Sequence, residues 1–226
     1  MKQHKKTITP EEAGYLAMAA DASREAEAQE WVEACLQTSI GAGTAAQPST
    51  ALLIIDVQQG LCEGEHAAFE SPQVIARINA VSAKARAAGA MVIFIQHEST
   101  SGYLSHGTDA WQLARGLHVE PSDLTLRKTT PDSFLHTELE EVLKRHAVTD
   151  LVICGMHTEF CVDTTTRRAL ALGYPVVLVA DAHTSEGNAH LTAAQVIQHH
   201  NATLTNISSF GPRVRAIFSE NLRLGA

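Results

Sequence analysis

The chain has 226 residues, a formal net charge of −8 at pH 7 and 45% hydrophobic residues, which indicates a soluble globular protein of one domain with an appendage. No cluster of basic residues favours nucleic acid, no apolar run reaches transmembrane length, and the four cysteines lack the CxxC pairs of a zinc site. We therefore expect a cytoplasmic protein with reduced thiols that binds neither nucleic acid nor a membrane.

Residues 1–48 are predicted to form a helical extension followed by a linker. A Thr-Pro-Glu-Glu sequence at residues 9–12 is a favourable helix start, and the Ala- and Glu-rich stretch that follows is strongly helix-forming. Residues 39–50 are rich in Gly, Ala, Ser and Thr, as in linkers. We expect the extension to pack on its own domain or on a partner. Two alternatives stay open: the extension crosses to a neighbouring subunit, or it covers an active site.

The main domain is predicted over residues 49–226. It begins with a buried strand at residues 51–55, because this run is short and apolar throughout. Asp56 follows the strand directly. Carboxylates at the carboxyl ends of parallel strands lie where open α/β sheets bind their ligands. Asp56 is therefore a candidate functional residue, and a turn or helix-capping role is the alternative.

A helix and a second strand are predicted next. Ser71 is a favourable N-cap, and Pro72 is tolerated at the first helical position. Apolar residues at helical spacing continue as far as Gly89, which ends the predicted helix. Residues 91–95 then form the second predicted strand, because they are again apolar throughout.

A long polar loop, residues 96–107, follows the second strand and contains His97, Glu98, Tyr103 and His106. Histidine and glutamate together suggest a metal site, but these residues lack the tight spacing of metal ligands. We therefore predict neither a metal nor a cofactor here. Loops of this kind more often line a pocket.

Residues 124–128 predict a short third strand, whose last residue is Lys128. This places a second ionisable side chain at the edge of the sheet, although a solvated surface lysine is the ordinary alternative. Residues 135–146 are predicted to be helical, because Leu139, Val142 and Leu143 fall on one face.

The stretch at residues 149–185 predicts a strand, a helix and a second strand. The strands are predicted at residues 151–154 and 176–180, and the helix runs between them over residues 158–172. Such a unit is a right-handed crossover of a parallel sheet. Cys161 lies in the first helical turn, where backbone N–H groups favour a thiolate. A small buried filler is the ordinary alternative for a cysteine.

The rest of the chain predicts one more helix and one more strand. The Asp-Ala-His sequence at residues 181–183 lies at a strand end, where it can stabilise or line a site or belong to a structural loop. Residues 192–200 predict a helix, and residues 202–207 predict the last strand.

Three ionisable residues follow predicted strands at the same edge of the sheet: Asp56, Lys128 and Cys161. Gathered there, they would form a nucleophilic site. The lysine lowers the pKa of the thiol by direct attraction, and the aspartate accepts the thiol proton and delivers it to a leaving amine.

Three motifs resemble the isochorismatase-like cysteine hydrolases, which include nicotinamidases and N-carbamoylsarcosine amidases. They are ALLIIDVQQG around Asp56, LRKTTPDSF around Lys128 and CGMHTEFCVDTTTRRA around Cys161. The resemblance covers about residues 49–210. It implies a three-layer α/β/α fold with a mostly parallel sheet, a catalytic triad formed by these three residues, and a homo-oligomer, either a dimer or a tetramer.

The resemblance also implies an oxyanion hole. In the family, a cis peptide bond joins the residues that correspond to Met156 and His157, and it turns the N–H of His157 toward the same point as the N–H of Cys161. Two such donors stabilise a tetrahedral intermediate. The candidate substrate-binding residues are Gln58, His97, Tyr103 and Phe134.

The predicted function is hydrolysis of an amide or ureido C–N bond of a small molecule, through a thioester on Cys161. Nicotinamidases carry an Asp-x-His metal motif after the second strand, whereas this chain has FIQHESTSGY there. A metal-free amidohydrolase without a cofactor is therefore favoured. Two alternatives remain: vinyl-ether hydrolysis of the isochorismatase type, which needs no thiol, and a non-catalytic or redox protein that retains the fold.

Overall fold

A computed structural model describes residues 49–65 and 67–224 of the chain, so the predicted helical extension and linker lie outside the described residues. The strands are β1 (Ser49–Ile55), β2 (Met91–His97), β3 (Leu124–Lys128), β4 (Val148–Met156), β5 (Val176–Thr184) and β6 (Val214–Ile217). The helices are α1 (Gln59–Cys62), α2 (Ser71–Ala87), α3 (Leu139–Arg145), α4 (Asp163–Ala171) and α5 (Ala193–Asn206). None of the described helices is long and apolar enough to cross a membrane.

The strands form one sheet in the order β3-β2-β1-β4-β5-β6, and every neighbouring pair in it is parallel. The direction of strand addition reverses between β1 and β4. Open parallel sheets bind ligands at the carboxyl ends of strands beside such a switch point. The predicted parallel sheet is confirmed, and the topology favours a site where β1 and β4 end.

Helices cover both faces of the sheet, which confirms the predicted three layers. Along β1, Leu53 and Ile55 point to the face that packs against α3, α4 and α5, whereas Leu52 and Ile54 point to the face that packs against α2. A parallel sheet covered on both sides needs strands that are apolar on both sides. The uninterrupted apolar run of β1 follows from this requirement.

The prediction of a last strand at residues 202–207 was wrong. Residues 193–206 form the single helix α5, and the last strand is β6. The β-branched threonines favoured a strand, but the hydroxyl of Thr205 bonds back to the carbonyl oxygen of Asn201 in the preceding turn. Leu204 is fully buried in the core. Tertiary packing of this leucine therefore outweighs the local strand propensity.

Two predicted helix starts are also corrected. The helix predicted from residue 135 begins at Leu139, because the preceding segment is a turn in which the carboxylate of Asp132 accepts from the N–H of Phe134, and His136 adopts a left-handed backbone with φ 57°. Ser71 is the first residue of α2 rather than its N-cap, and its hydroxyl donates instead to the carbonyl oxygen of Cys62.

Candidate active site

The three ionisable residues singled out in the sequence lie together at the carboxyl edge of the sheet. Asp56 directly follows β1, Lys128 is the last residue of β3, and Cys161 lies in the turn after β4. The ammonium nitrogen of Lys128 is 2.7 Å from Oδ2 of Asp56 and 3.2 Å from Sγ of Cys161. The Lys128 and Asp56 side chains are fully buried, so this ion pair is shielded from water.

Lys128 has more acceptors around it than it has protons to donate. Besides Asp56 and Cys161, its Nζ lies 3.1 Å from the carbonyl oxygen of Thr130 and 3.4 Å from Nδ1 of His97. Burial lowers the pKa of Lys128, but the attraction and hydrogen bonds of Asp56 and Cys161 raise it above the ordinary value. The lysine is therefore an ammonium throughout the neutral pH range.

The thiol of Cys161 is less acidic than the sequence led us to expect. Burial, and then the negative charge of Asp56, raise the pKa of Cys161 to about 12. Lys128 lowers this pKa, as predicted, but by less than burial and Asp56 raise it. The resting group is therefore a neutral thiol, and a base has to remove its proton before the sulfur can attack.

Asp56 is the carboxylate beside this thiol, with one of its oxygens within 4.8 Å of Sγ of Cys161. Its Oδ1 is buried and has no hydrogen-bond partner among the described residues, while Oδ2 accepts from Lys128. Asp56 has a left-handed backbone with φ 52°, and its N–H donates to the carbonyl oxygen of Ile95 on the neighbouring strand β2. This bond holds the carboxylate at the point where β1 ends.

The turn between β4 and Cys161 has an unusual backbone. Gly155 has φ 121°, and a Cβ atom there would clash with the carbonyl oxygen of Ile55, so β1 and β4 approach too closely for a side chain. The peptide bond between Met156 and His157 is cis, as predicted. A π-helical turn, Thr158–Val162, follows. Cys161 thus lies in a π turn ahead of α4, a feature that frequently marks functional sites.

Of the four candidate substrate-binding residues, His97 and Tyr103 lie in positions that can meet a ligand. His97 is half-buried at the end of β2, directly beside Lys128 in the register of the sheet. Burial and then the charge of Lys128 lower the pKa of His97, so its imidazole is neutral. Tyr103 is exposed, and its ring packs over Gly60. Their contact with substrate stays a prediction.

The positions of Gln58 and Phe134 argue against a direct contact with substrate. The fully buried amide of Gln58 donates to the carbonyl oxygens of His97 and Trp111 and accepts from the N–H of His97, so it joins the ends of β1 and β2. Phe134 lies in the core, where its ring stacks on that of Tyr174. Sequence reasoning placed both residues near the site but could not tell which way they point.

One donor atom each of Asp56, His97 and Cys161 lies within 4.8 Å of the other two, a spacing within reach of a metal ion. The Lys128 ammonium, however, is within 3.4 Å of a donor atom of each. A second positive charge at this position would be repelled by the first. The donor set therefore fits a protonated lysine rather than a metal ion.

The sequence of the chain is similar to that of several known proteins. A family model described as the isochorismatase domain matches residues 50–209. A streptothricin hydrolase of Streptomyces noursei is 39% identical over 134 residues, which are 59% of this chain. A ureidoacrylate amidohydrolase of Methylobacterium radiotolerans is 28% identical in an alignment of length 199, and the similarity covers 72% of this chain and 74% of that protein. The chain spans about half the length, 49%, of the streptothricin hydrolase.

The fold is similar to that of solved structures. The crystal structure of an isochorismatase family protein superposes with a TM-score of 0.67 and 40% sequence identity, and the similarity covers 74% of this chain and 98% of that one.

Proposed function

Because the chain belongs to the isochorismatase family, whose model matches residues 50–209, we propose that it is a hydrolase that cleaves an amide or ureido C–N bond of a small molecule. The reaction proceeds through a thioester on Cys161. The name of one relative, a ureidoacrylate amidohydrolase, supports hydrolysis of this kind of bond, and that of another, a streptothricin hydrolase, supports a hydrolase.

The observation that carries the proposal is the Lys128 ammonium between the Asp56 carboxylate and the Cys161 sulfur, at 2.7 Å and 3.2 Å. A cation in this position stabilises the carboxylate before proton transfer and the thiolate after it. The proton can therefore move from sulfur to carboxylate without leaving an unpaired negative charge in the buried site.

In the first half of the reaction, Asp56 takes the proton of the Cys161 thiol as the sulfur attacks the substrate carbonyl carbon. The carbonyl oxygen becomes an oxyanion, which the backbone N–H groups of His157 and Cys161 stabilise. Collapse of the intermediate breaks the C–N bond. Asp56 returns the proton to the leaving nitrogen, so ammonia or an amine departs and a thioester remains.

In the second half, water hydrolyses the thioester. Asp56 takes a proton from the water molecule as its oxygen attacks the thioester carbonyl, and the same N–H groups hold the second oxyanion. The C–S bond then breaks, the acid product leaves, and Asp56 returns the proton to Cys161. Lys128 keeps its proton throughout and acts by charge alone.

The proposal is tested by ammonia release from a panel of small primary amides and ureido acids. We expect release by the wild type and none by Cys161→Ala, with an acyl adduct on Cys161 detectable by mass spectrometry after acid quench. Cys154→Ala is the matched control, because Cys154 is fully buried in β4 and contacts the carbonyl oxygen of Leu53. A chelator should change none of these rates, since no step uses a metal.

Two outcomes would favour the alternatives. Hydrolysis that survives Cys161→Ala, above all of a vinyl ether, would overturn the thiol mechanism. Absence of both release and adduct across the whole panel would instead favour a non-catalytic or redox protein with this fold.

We also propose that residues 49–226 form the hydrolase domain, with residues 1–48 as an extension to it. The extent of the family match and of the similar crystal structure supports this division. A homo-oligomer and a cytoplasmic location stay predictions.

A further inference from the structure

His183 is a buried histidine at the end of β5 that the proposed reaction does not use. It is 1% exposed, and both ring nitrogens have partners. Nδ1 lies 2.8 Å from the hydroxyl of Thr158, and Nε2 lies 3.1 Å from Oδ1 of Asn201. These contacts join three separate parts of the fold: the turn after β4, the end of β5, and helix α5.

The direction of these hydrogen bonds follows from the contacts of Asn201. The amide nitrogen of Asn201 donates to the carbonyl oxygen of Ala180, so its Oδ1 faces His183 and accepts. Nε2 of His183 therefore carries the proton, and Nδ1 presents a lone pair. Thr158 donates to that lone pair. Burial lowers the pKa of His183 to about 4, so this neutral form persists at neutral pH.

The sheet is deformed where it places His183. Gly155 of β4 pairs with His183, whereas Ile153 pairs with Leu178, so β5 has extra residues between the two pairs. Irregularities of this kind re-aim side chains and occur next to active sites. Here the irregularity pairs His183 with Gly155, and the His183 side chain contacts Thr158 in the turn that leads to Cys161.

Thr158 is the first residue of that π turn and is fully buried. The two N–H groups proposed for the oxyanion hole belong to His157, which precedes it, and to Cys161, three residues further on. Within the turn, the N–H groups of Phe160 and Val162 donate to the carbonyl oxygen of His157. The Thr158 hydroxyl therefore attaches the segment that carries both donors to β5 and, through Asn201, to α5.

We propose that Thr158, His183 and Asn201 form a buried hydrogen-bond chain that positions the turn carrying Cys161 and the oxyanion-hole N–H groups. The inference rests on the proposed function and deepens it, because it assigns positioning roles to three residues that do not touch the substrate. A displacement of about 1 Å at such a site costs about 10²-fold in rate. Loss of the Thr158 hydrogen bond should therefore lower kcat far more than it changes KM.

The test compares two fully buried threonines, Thr158 in the π turn and Thr166 in helix α4. Thr158→Val removes the hydroxyl but keeps the shape. Thr166→Val is the matched control, because Thr166 in α4 is also fully buried, yet its hydroxyl has no hydrogen-bond partner among the described residues. Thr158→Ser, which keeps the hydroxyl, is the rescue variant.

With a hydrolysed amide from the panel, we expect Thr158→Val to lose about 10–100-fold in kcat with KM changed by no more than about threefold. Thr166→Val should keep the wild-type kcat, and Thr158→Ser should recover to within about threefold of it. Should Thr158→Val fail to fold, Asn201→Ala is the substitute, because Asn201 is the half-exposed end of the hydrogen-bond chain. It should show a smaller loss, also in kcat. Wild-type kcat in Thr158→Val, or an equal loss in Thr166→Val, would overturn the inference.

A second measurement keeps the inference separate from the proposed function. Hydrogen exchange of the peptide that spans residues 157–162 should be faster in Thr158→Val than in the wild type, and unchanged in Thr166→Val. If the wild type hydrolyses nothing in the panel, the proposed function fails and this exchange alone decides the positioning role. Equal exchange in the two valine variants would then refute it.

Discussion

Lys128 carries a positive charge in a place from which water is excluded. Burying a charge costs several kcal/mol unless a partner of opposite sign and hydrogen bonds compensate for it. Here Asp56 supplies the partner, and Cys161 and the carbonyl oxygen of Thr130 accept the remaining hydrogen bonds. The residues proposed for catalysis therefore also depend on one another for their stability in the fold.

This dependence predicts a large effect of Lys128→Met. The substitution leaves the Asp56 carboxylate buried without a counter-ion, so we expect the free energy of unfolding to fall by about 3–5 kcal/mol in urea titrations. Lys144→Met is the control, because Lys144 is mostly exposed and pairs with Glu140 on the helix surface. Equal stability of the two variants would contradict the prediction. Adding Asp56→Asn to Lys128→Met should restore part of the loss.

At the scale of elements, the site depends on how closely β1 and β4 approach each other. Gly155 lies opposite Ile55 in the register of these strands. Asp56 and the turn to Cys161 leave the sheet just after this pair. A close backbone approach at this point brings the two segments that carry the aspartate and the cysteine together. Helices α2 and α5 then cover the sheet from opposite sides.

We predict that Gly155→Ala disrupts the fold at this point. The added Cβ atom would clash with the carbonyl oxygen of Ile55, and φ 121° is itself unfavourable for alanine. Gly173→Ala is the control for the backbone effect alone, because Gly173 has φ 95° and open space around it. We expect the control to cost about 1 kcal/mol and Gly155→Ala several times more, by thermal unfolding. Similar melting temperatures would argue against the close approach.

At the scale of the whole molecule, burial of histidines ties stability to pH. The pKa values of His97, His157 and His183 are all lowered, in each case mainly by burial. At pH values between its folded pKa and the ordinary histidine pKa of about 6.5, each of these histidines therefore binds fewer protons in the folded state than in the unfolded state. Their contribution to stability is complete above pH 6.5 and is lost as the pH falls toward the folded pKa.

For His183, whose folded pKa is about 4, this loss amounts to about 2 kcal/mol between pH 7 and pH 5. Asn201, Asp181 and His200 are the polar and charged groups that act on it, and none of them offsets the burial. Urea unfolding at the two pH values measures the loss. His183→Gln should lose about 2 kcal/mol less than the wild type over this range, and parallel behaviour of the two proteins would exclude the buried neutral imidazole.

Much of the architecture could be predicted from local pattern. Short apolar runs were assigned correctly to β1, β2, β4 and β5, because a parallel sheet covered on both faces requires apolar strands, and residues 124–128 were assigned correctly to β3. The prediction failed at residues 202–207, where burial of Leu204 extends a helix through β-branched residues. It also missed the start of α3, which depends on the side chain of Asp132 and not on hydrophobic spacing.

The sequence by itself determined the fold class and the family, through its apolar runs and its three motifs. It also determined the gathering of Asp56, Lys128 and Cys161, because residues that follow parallel strands meet at one edge of the sheet whatever the details of packing. Only the tertiary structure decided that the thiol of Cys161 is neutral at rest, that Phe134 belongs to the core, and that His183 holds Thr158. These properties depend on burial and on contacts between residues far apart in the chain. No local pattern of residues specifies them.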